Sequence, residues 1–221
     1  MKKNITELVF ILDKSGSMSG LEADTIGGFN SMIAKQDASE GEVIVSTVLF
    51  SNDMTVLHDR VSVSEVGKMT DKQYSVGGCT ALLDAIGGAI HHIKKIHKKM
   101  EEEVRPDKTL FVITTDGQEN ASKKYNYEKV KKMVEKRKKD GWEFLFLGAG
   151  IDAISEAARF GIDESRAVKY ECDGAGTALN FAVLGNAIAK VRRSSSSVEM
   201  SDALGVEWKE EIEEYYEKCN G

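Results

Sequence analysis

Proline is nearly absent from this chain, and several other features that it lacks exclude whole classes of protein. One proline in 221 residues argues against a Pro-rich linker. The three cysteines, Cys79, Cys172 and Cys219, have no paired spacing, which favours a reducing compartment over a disulfide framework. The apolar run before Asp13 is five residues long, too short for the core of a signal peptide. No stretch approaches the ~18 apolar residues of a membrane span. We therefore expect a cytoplasmic protein with no membrane partner.

The charge of the chain is unevenly distributed. The formal net charge is −6, but residues 91–140 contain 15 Lys and Arg against 9 Asp and Glu. The lysines of "KKIHKK" and "VKKMVEKRKKD" in this region alternate with apolar residues at helical spacing, and neither run contains an aromatic residue. Such lysines are typical of the solvated faces of amphipathic helices, so we expect no nucleic-acid partner.

Apolar segments of two periodicities alternate along the chain. Six short runs rich in branched residues predict strands, and helical patterns lie between most of them. Strands that alternate with helices predict an α/β fold, with a mainly parallel, doubly wound sheet covered by helices on both faces. The strand order expected for six strands is 3-2-1-4-5-6. Strand 3 follows strand 2 after the short turn "SND", so it should be antiparallel and lie at the edge.

The C-terminal part has a different composition. A serine run, "RRSSSS", precedes an acidic segment with apolar residues Trp208, Ile212 and Tyr215 at helical spacing. We therefore divide the chain into a domain over 1–192 and, over 193–221, a Ser-rich joint with an acidic tail that can form a helix.

Five oxygen-bearing side chains are brought to one place by this topology. Asp13 ends strand 1 and is followed by Ser15 and Ser17 on a turn, while Asp116 ends strand 4. The ligand crevice of a doubly wound sheet lies between strands 1 and 4, at their carboxyl ends. The loop before the next helix can bring Thr80 alongside. Two carboxylates and three hydroxyls are hard ligands, which suit Mg²⁺ or Mn²⁺ better than Zn²⁺.

These residues carry a resemblance to a known family. "DKSGS" at 13–17, the threonine of "GGCTALLDA" and the aspartate of "TTDGQEN" resemble the metal-ion-dependent adhesion site (MIDAS) of von Willebrand factor type A (vWA) domains. The resemblance covers about residues 5–192. It implies that Ser15, Ser17 and Thr80 contact the metal, and that Asp13 and Asp116 act directly or through water. It also implies a non-enzymatic, Mg²⁺- or Mn²⁺-dependent module in which a protein partner supplies an Asp or Glu to the ion. Together with the missing signal peptide, it favours a bacterial or phage-related setting.

Other residues near these motifs have simpler interpretations. Asp84 lies one helical turn after Thr80 and is a candidate to hold a metal-bound water or a serine, although a capping role fits as well. The segment "GAGIDA" matches a dinucleotide fingerprint, but it does not follow the first strand, where that motif belongs. His91, His92 and His97 are interpreted as surface or boundary residues.

Two other functions compete with the metal-dependent interaction module. A Mg²⁺-dependent phosphohydrolase also places an aspartate at the end of strand 1, but it needs a second aspartate where this chain has Ser15. A vWA fold could also bind its partner without a metal. A serine hydrolase is disfavoured because the chain has no GxSxG elbow.

Overall fold

The computed structural model describes residues 4–36, 41–150 and 152–221. The basic N-terminal residues 1–3 and the isoleucine of "GAGIDA" therefore lie outside the described residues. The strands are β1 (Ile5–Asp13), β2 (Glu42–Phe50), β3 (Met54–Ser62), β4 (Lys108–Thr115), β5 (Trp142–Ala149) and β6 (Ala167–Tyr170). The helices are α1 (Glu22–Gln36), α2 (Leu82–His97), α3 (Tyr127–Lys139), α4 (Ala153–Arg159), α5 (Gly174–Arg193), α6 (Ser197–Ala203) and α7 (Glu210–Asn220).

The six strands form one sheet in the order β3-β2-β1-β4-β5-β6. β3 pairs antiparallel with β2 at one edge, and every other neighbouring pair is parallel. The predicted fold class, strand order and antiparallel edge strand are therefore confirmed. β1 pairs with both β2 and β4, and it is here that the strand order reverses. The carboxyl ends of β1 and β4 consequently lie side by side, and we call this end of the sheet the carboxyl edge.

The alternation of apolar side chains along β1 explains the two layers of helices. Leu8, Phe10 and Leu12 point to one face, where they join a buried cluster with residues of α1, α5, α6 and α7. Val9 and Ile11 point to the other face and pack in a second cluster with α2, α3 and α4. Because successive strand residues point to opposite faces, a fully apolar strand must be covered on both.

Most of the residues after 192 are helical, and they pack against α5 and β6. Trp208 and Ile212 are buried in the cluster shared with α5, and the Tyr215 hydroxyl donates to Asp173 Oδ2 at 3.0 Å. Ser194, in the serine run, is also buried. Most of the predicted apolar stripe thus lies against the domain, and the division of the chain at residue 192 stays a prediction.

Within the described ranges, no helix is both long enough and apolar enough to cross a membrane.

Candidate metal centre

The turn after β1 is organised by the side chain that ends the strand. Asp13 Oδ1 accepts a hydrogen bond from the backbone N–H of Ser15 at 2.7 Å, which folds the chain back immediately. A 3₁₀ turn over Gly16–Met18 follows and places the Ser17 side chain next to that of Ser15. The hydroxyl oxygens of Ser15 and Ser17 are 3.0 Å apart. Ser15 is buried and Ser17 is exposed, so these two adjacent hydroxyls connect the interior with the surface.

The strand next to β1 contributes the second carboxylate. β4 ends at Thr115, one residue earlier than predicted, and Asp116 follows directly. Ser17 Oγ donates to Asp116 Oδ1 at 2.5 Å. This contact joins residues 99 positions apart in the sequence.

Thr80 reaches the same place through the loop before α2. Its backbone exchanges two hydrogen bonds with Asn120: Thr80 N–H donates to Asn120 Oδ1 at 2.9 Å, and Asn120 N–H donates to the Thr80 carbonyl at 3.1 Å. A Cβ atom on Gly117 would lie 2.8 Å from Thr80 Oγ1 and 3.2 Å from Ser17 Oγ. A side chain at this position would push the Thr80 hydroxyl aside, so the two hydroxyls converge closely over Gly117. The predicted residues Asp13, Ser15, Ser17, Thr80 and Asp116 are therefore brought together.

Two loop contacts hold this arrangement in register. The Gly16 N–H donates to the Gly78 carbonyl at 3.0 Å, and the Gly77 N–H donates to the Lys14 carbonyl at 2.9 Å. Gly78 has a φ of +84°, a conformation that glycine adopts without the steric cost of a side chain. The serine turn and the threonine loop are thus tied to each other by backbone bonds.

Both carboxylates are held in an environment that disfavours their charge. Burial raises the pKa of Asp13, although hydrogen bonds from Thr115 and Ser15 partly oppose this. Burial also raises the pKa of Asp116, against the hydrogen bond from Ser17. Among the described residues, no Lys, Arg or His forms an ion pair with either carboxylate. A bound cation would supply the missing positive charge.

The donor set fits a hard divalent cation. All five side chains offer oxygen, and carboxylate and hydroxyl oxygens suit Mg²⁺ or Mn²⁺. In the parts of the chain that the structure describes, no group of three or more His, Cys, Asp or Glu side chains could hold a metal. A metal site at the carboxyl edge would therefore depend on its hydroxyls as much as on its carboxylates.

Asp84 points to a neighbouring loop. Its carboxylate accepts hydrogen bonds from the backbone N–H groups of Lys123, Lys124 and Tyr125, at 3.0, 2.9 and 2.9 Å. Desolvation acts to raise the pKa of Asp84, but these three donors outweigh it and the pKa is lowered. Asp84 thus fixes the loop that follows the site, and its proposed hold on a metal-bound water stays a prediction.

Sequence reasoning missed several groups that support the site. Thr115 Oγ1 donates to Asp13 Oδ2 at 2.6 Å, and the Tyr74 hydroxyl donates to the Asp13 carbonyl. Glu119 Oε2 accepts from the Leu83 N–H at 2.8 Å, at the start of α2. Thr115 could have been found, because it directly precedes the aspartate in "TTDG". Tyr74 lies in a loop of no clear periodicity, so the sequence carries no signal for it.

Comparison with known proteins identifies the fold family. A model of the von Willebrand factor type A domain matches residues 7–174. A search of curated protein sequences finds no match.

Solved structures of low sequence identity share the fold. The vWF domain of the type V pili tip protein Mfa5 from Porphyromonas gingivalis has a TM-score of 0.62 at 11% identity, covering 88% of this chain and 98% of its own. Proximal thread matrix protein 1 from the mussel byssus, in a structure with a zinc-occupied MIDAS motif, has a TM-score of 0.57 at 15% identity, covering 85% and 46%. A von Willebrand factor type A protein from Catenulispora acidiphila has a TM-score of 0.57 at 14% identity, covering 85% and 43%.

The chain thus spans less than half the length of the mussel and Catenulispora chains. The family match covers most of its residues, including all five at the carboxyl edge. The chain belongs to the von Willebrand factor type A domain family.

Proposed function

We propose that this vWA domain is a protein-interaction module whose carboxyl edge binds one divalent cation and, through it, an acidic side chain of a partner. The observation that carries the proposal is the continuous series of contacts from Ser15 to Ser17 to Asp116, at 3.0 and 2.5 Å. This series ends on a partly buried carboxylate that no cation of the described chain neutralises.

The ion would be held by the hydroxyls of Ser15, Ser17 and Thr80 together with the carboxylates of Asp13 and Asp116. When bound, it supplies a Lewis-acidic position for an anionic oxygen from outside. Mg²⁺ is the proposed ion, with Mn²⁺ as the alternative of the same ligand preference. The fold neighbour with zinc in its MIDAS motif supports a metal at this location without deciding which metal binds here.

The partner is proposed to present Asp or Glu. Two carboxylates balance the charge of a divalent ion without exceeding it, so an anionic oxygen is preferred over water once solvent is excluded. Ser17 is exposed and gives a partner access to the edge. The proposal includes no catalytic residue, because the position of the second aspartate of a phosphohydrolase is occupied by Ser15.

We also propose a cytoplasmic setting. The three cysteines are free and exposed in the described structure, and exposed thiols persist in a reducing compartment.

Isothermal titration with Mg²⁺ and Mn²⁺ tests the ion site. We expect one ion per chain for the wild type and no binding for Asp13→Ala. Asp202→Ala removes an exposed carboxylate far along the chain and should bind as the wild type does. Equal binding by Asp13→Ala and Asp202→Ala would overturn the site.

A pull-down in Mg²⁺ and in EDTA tests the partner. Thr80→Ala should weaken capture of any Mg²⁺-dependent partner while leaving the fold intact, since it removes one small polar group. The partner's critical Asp→Asn or Glu→Gln should weaken binding as well, and the two losses should not add in a double-mutant cycle. Additive losses, or capture that persists unchanged in EDTA, would show that no ion joins the two proteins.

A further inference from the structure

A cavity lies at the end of the sheet opposite the carboxyl edge. Its volume is about 550 Å³, within the range of small-molecule sites. We call it the basic cleft and define it by the residues Lys94, His97, Lys98, Arg105, Pro106, Asp107, Thr109, Arg137, Asp140, Gly141 and Trp142. Thr109 is the second residue of β4 and Trp142 is the first residue of β5, so the cleft lies about a strand length away from Asp13 and Asp116.

Cations from three separate segments converge on this cleft. Lys94 and Lys98 come from the last turn of α2 and its end, Arg105 from the connection to β4, and Arg137 from the last turn of α3. The lysines of a solvated helix face would all belong to one helix. These side chains come from three segments and surround one concave space. Part of the positive charge of residues 91–140 is thus concentrated at one cleft, which the sequence does not show.

The two carboxylates of the cleft are already engaged. Asp140 Oδ2 pairs with Arg137 Nη1 at 2.6 Å, and Asp107 Oδ2 accepts from the Ile5 N–H at 3.1 Å. Lys94 and Lys98 form no ion pair within the described part of the chain. Arg105 Nη2 donates to the Met100 carbonyl at 3.2 Å and likewise has no carboxylate partner there. Three cations therefore remain to neutralise a ligand.

Helix polarity explains only part of this arrangement. Lysine and arginine in a last turn interact favourably with the negative end of the helix dipole, which accounts for cations at the ends of α2 and α3. Arg105 belongs to no α-helix, so this effect does not place it. The floor is rigid, since His97 Nε2 contacts Glu7 Oε2 at 2.6 Å and the Trp142 ring stacks on Phe111.

We propose that the basic cleft binds a small anion carrying several phosphate groups. An arginine guanidinium can donate two hydrogen bonds to the oxygens of one phosphate, and a lysine ammonium supplies a compact positive charge. A ligand with closely spaced phosphates can therefore bind both kinds of donor at once. Because cations from three segments border one concave cleft, we favour a compact oligophosphate over a nucleic-acid duplex. The site is independent of the ion at the carboxyl edge and does not rest on the proposed function.

Titration calorimetry with inorganic tripolyphosphate tests this proposal. EDTA in the buffer keeps divalent ions from recruiting phosphate to the carboxyl edge. We expect one site per chain at fixed ionic strength, with the double variant Lys94→Gln/Lys98→Gln weakening it by about tenfold or more. Citrate, which carries carboxylates in place of phosphates, should bind more weakly than tripolyphosphate.

A matched control is available in the same segment, at the end of α2. Lys95→Gln/Lys99→Gln removes the same charge at the same spacing from lysines that do not line the cleft, and should change the affinity by less than about twofold. Asp13→Ala should bind tripolyphosphate as the wild type does. Urea unfolding would confirm that both double variants keep the stability of the wild type.

Absence of binding by the wild type at millimolar tripolyphosphate would overturn the proposal. Equal weakening by the two double variants would also overturn it, because that result describes diffuse attraction to a positive surface. Binding of duplex DNA more tightly than tripolyphosphate, with both variants equally impaired, would replace the cleft with a nucleic-acid surface.

Discussion

The carboxylates at the two ends of the sheet differ in whether they have a cationic partner. Near the amino end of β1, Glu7 is fully buried, with Arg60 Nε 2.7 Å and His97 Nε2 2.6 Å from its carboxylate oxygens. At the carboxyl edge, Asp13 and Asp116 have hydroxyl and backbone donors but no cation partner among the described residues. The first end gives its carboxylate a cationic partner in Arg60, whereas the second gives its carboxylates none among the described residues.

If the carboxyl edge binds an ion as proposed, this difference separates a charge that serves folding from charges that serve binding. A buried carboxylate with a cationic partner is costly to remove, because its loss leaves the partner's charge uncompensated. A buried carboxylate without such partners holds its charge at a cost that a bound cation can offset. On this argument, substitutions at the two ends should change stability in different directions.

The largest effect is expected from Glu7→Ala. This change leaves the half-buried Arg60 and the buried His97 without their carboxylate partner and should lower the free energy of unfolding by about 3–5 kcal/mol. Arg60 also adopts a φ of +55°, a strained conformation that its ion pair helps to hold. Chemical denaturation at neutral pH measures the loss.

An exposed pair serves as the control for Glu7. Asp59 lies 2.8 Å from His92 Nε2, and both side chains are about half exposed. Asp59→Ala should therefore cost less than about 1 kcal/mol. If Glu7→Ala lowered the free energy of unfolding no more than Asp59→Ala does, the contacts of Glu7 at the amino end of the sheet would not stabilise the fold as described above.

Asp84→Ala is expected to have the next largest effect. The variant leaves the backbone N–H groups of 123–125 without their acceptor, which should cost about 1–2 kcal/mol because these groups are partly hydrated. Ion affinity should fall much less than in Asp13→Ala. A strong loss of ion affinity at unchanged stability would instead assign Asp84 to the metal centre.

Thr115→Val should have a smaller effect on stability. It removes the donor to Asp13 Oδ2, so the variant should lose about 1 kcal/mol and the pKa of Asp13 should rise further. Thr114→Val, at the preceding position of β4, is the control, since Thr114 makes no such bond to Asp13. Equal losses in both variants, measured by urea denaturation, would mean that the hydroxyl of Thr115 does not support the carboxylate.

The smallest effect is a pH dependence with a defined sign. The pKa values of Asp13 and Asp116 are raised in the fold, so the native state binds these protons at a higher pH than the unfolded chain does. Their contribution to the stability of the metal-free protein therefore falls as pH rises through the raised values. Asp84, whose pKa is lowered, contributes stability that is lost as pH falls. When the free energy of unfolding of Asp13→Asn is measured across pH, its slope against pH should lack the contribution of Asp13. A slope equal to that of the wild type would contradict the raised pKa of Asp13.

The meeting of Asp13 and Asp116 at the carboxyl edge could be predicted from the sequence, because short local segments determine it. Each strand ends next to a polar residue, and the parallel order of β1 and β4 alone brings those residues together. The segments around Asp13 and Asp116 therefore needed no knowledge of side-chain packing.

The amino end could not be predicted, because its contacts join residues far apart in sequence. His97 was interpreted as a surface or boundary residue, but it is buried against Glu7, 90 positions away. Arg60 completes the group from an irregular pairing of β3 with β2. Such contacts depend on where helices and strands cross, and periodicity does not specify that.

Thermal unfolding of the wild type and Asp13→Asn, each in EDTA and in rising Mn²⁺, tests the central claim most directly. In EDTA we expect Asp13→Asn to unfold at or above the temperature of the wild type, since it removes an uncompensated buried charge. With Mn²⁺ the wild type should gain about 2.7 kcal/mol at a hundredfold excess over the dissociation constant, while the variant gains nothing. A less stable Asp13→Asn in EDTA, with the same response to Mn²⁺ as the wild type, would contradict the claim that these carboxylates serve a bound cation.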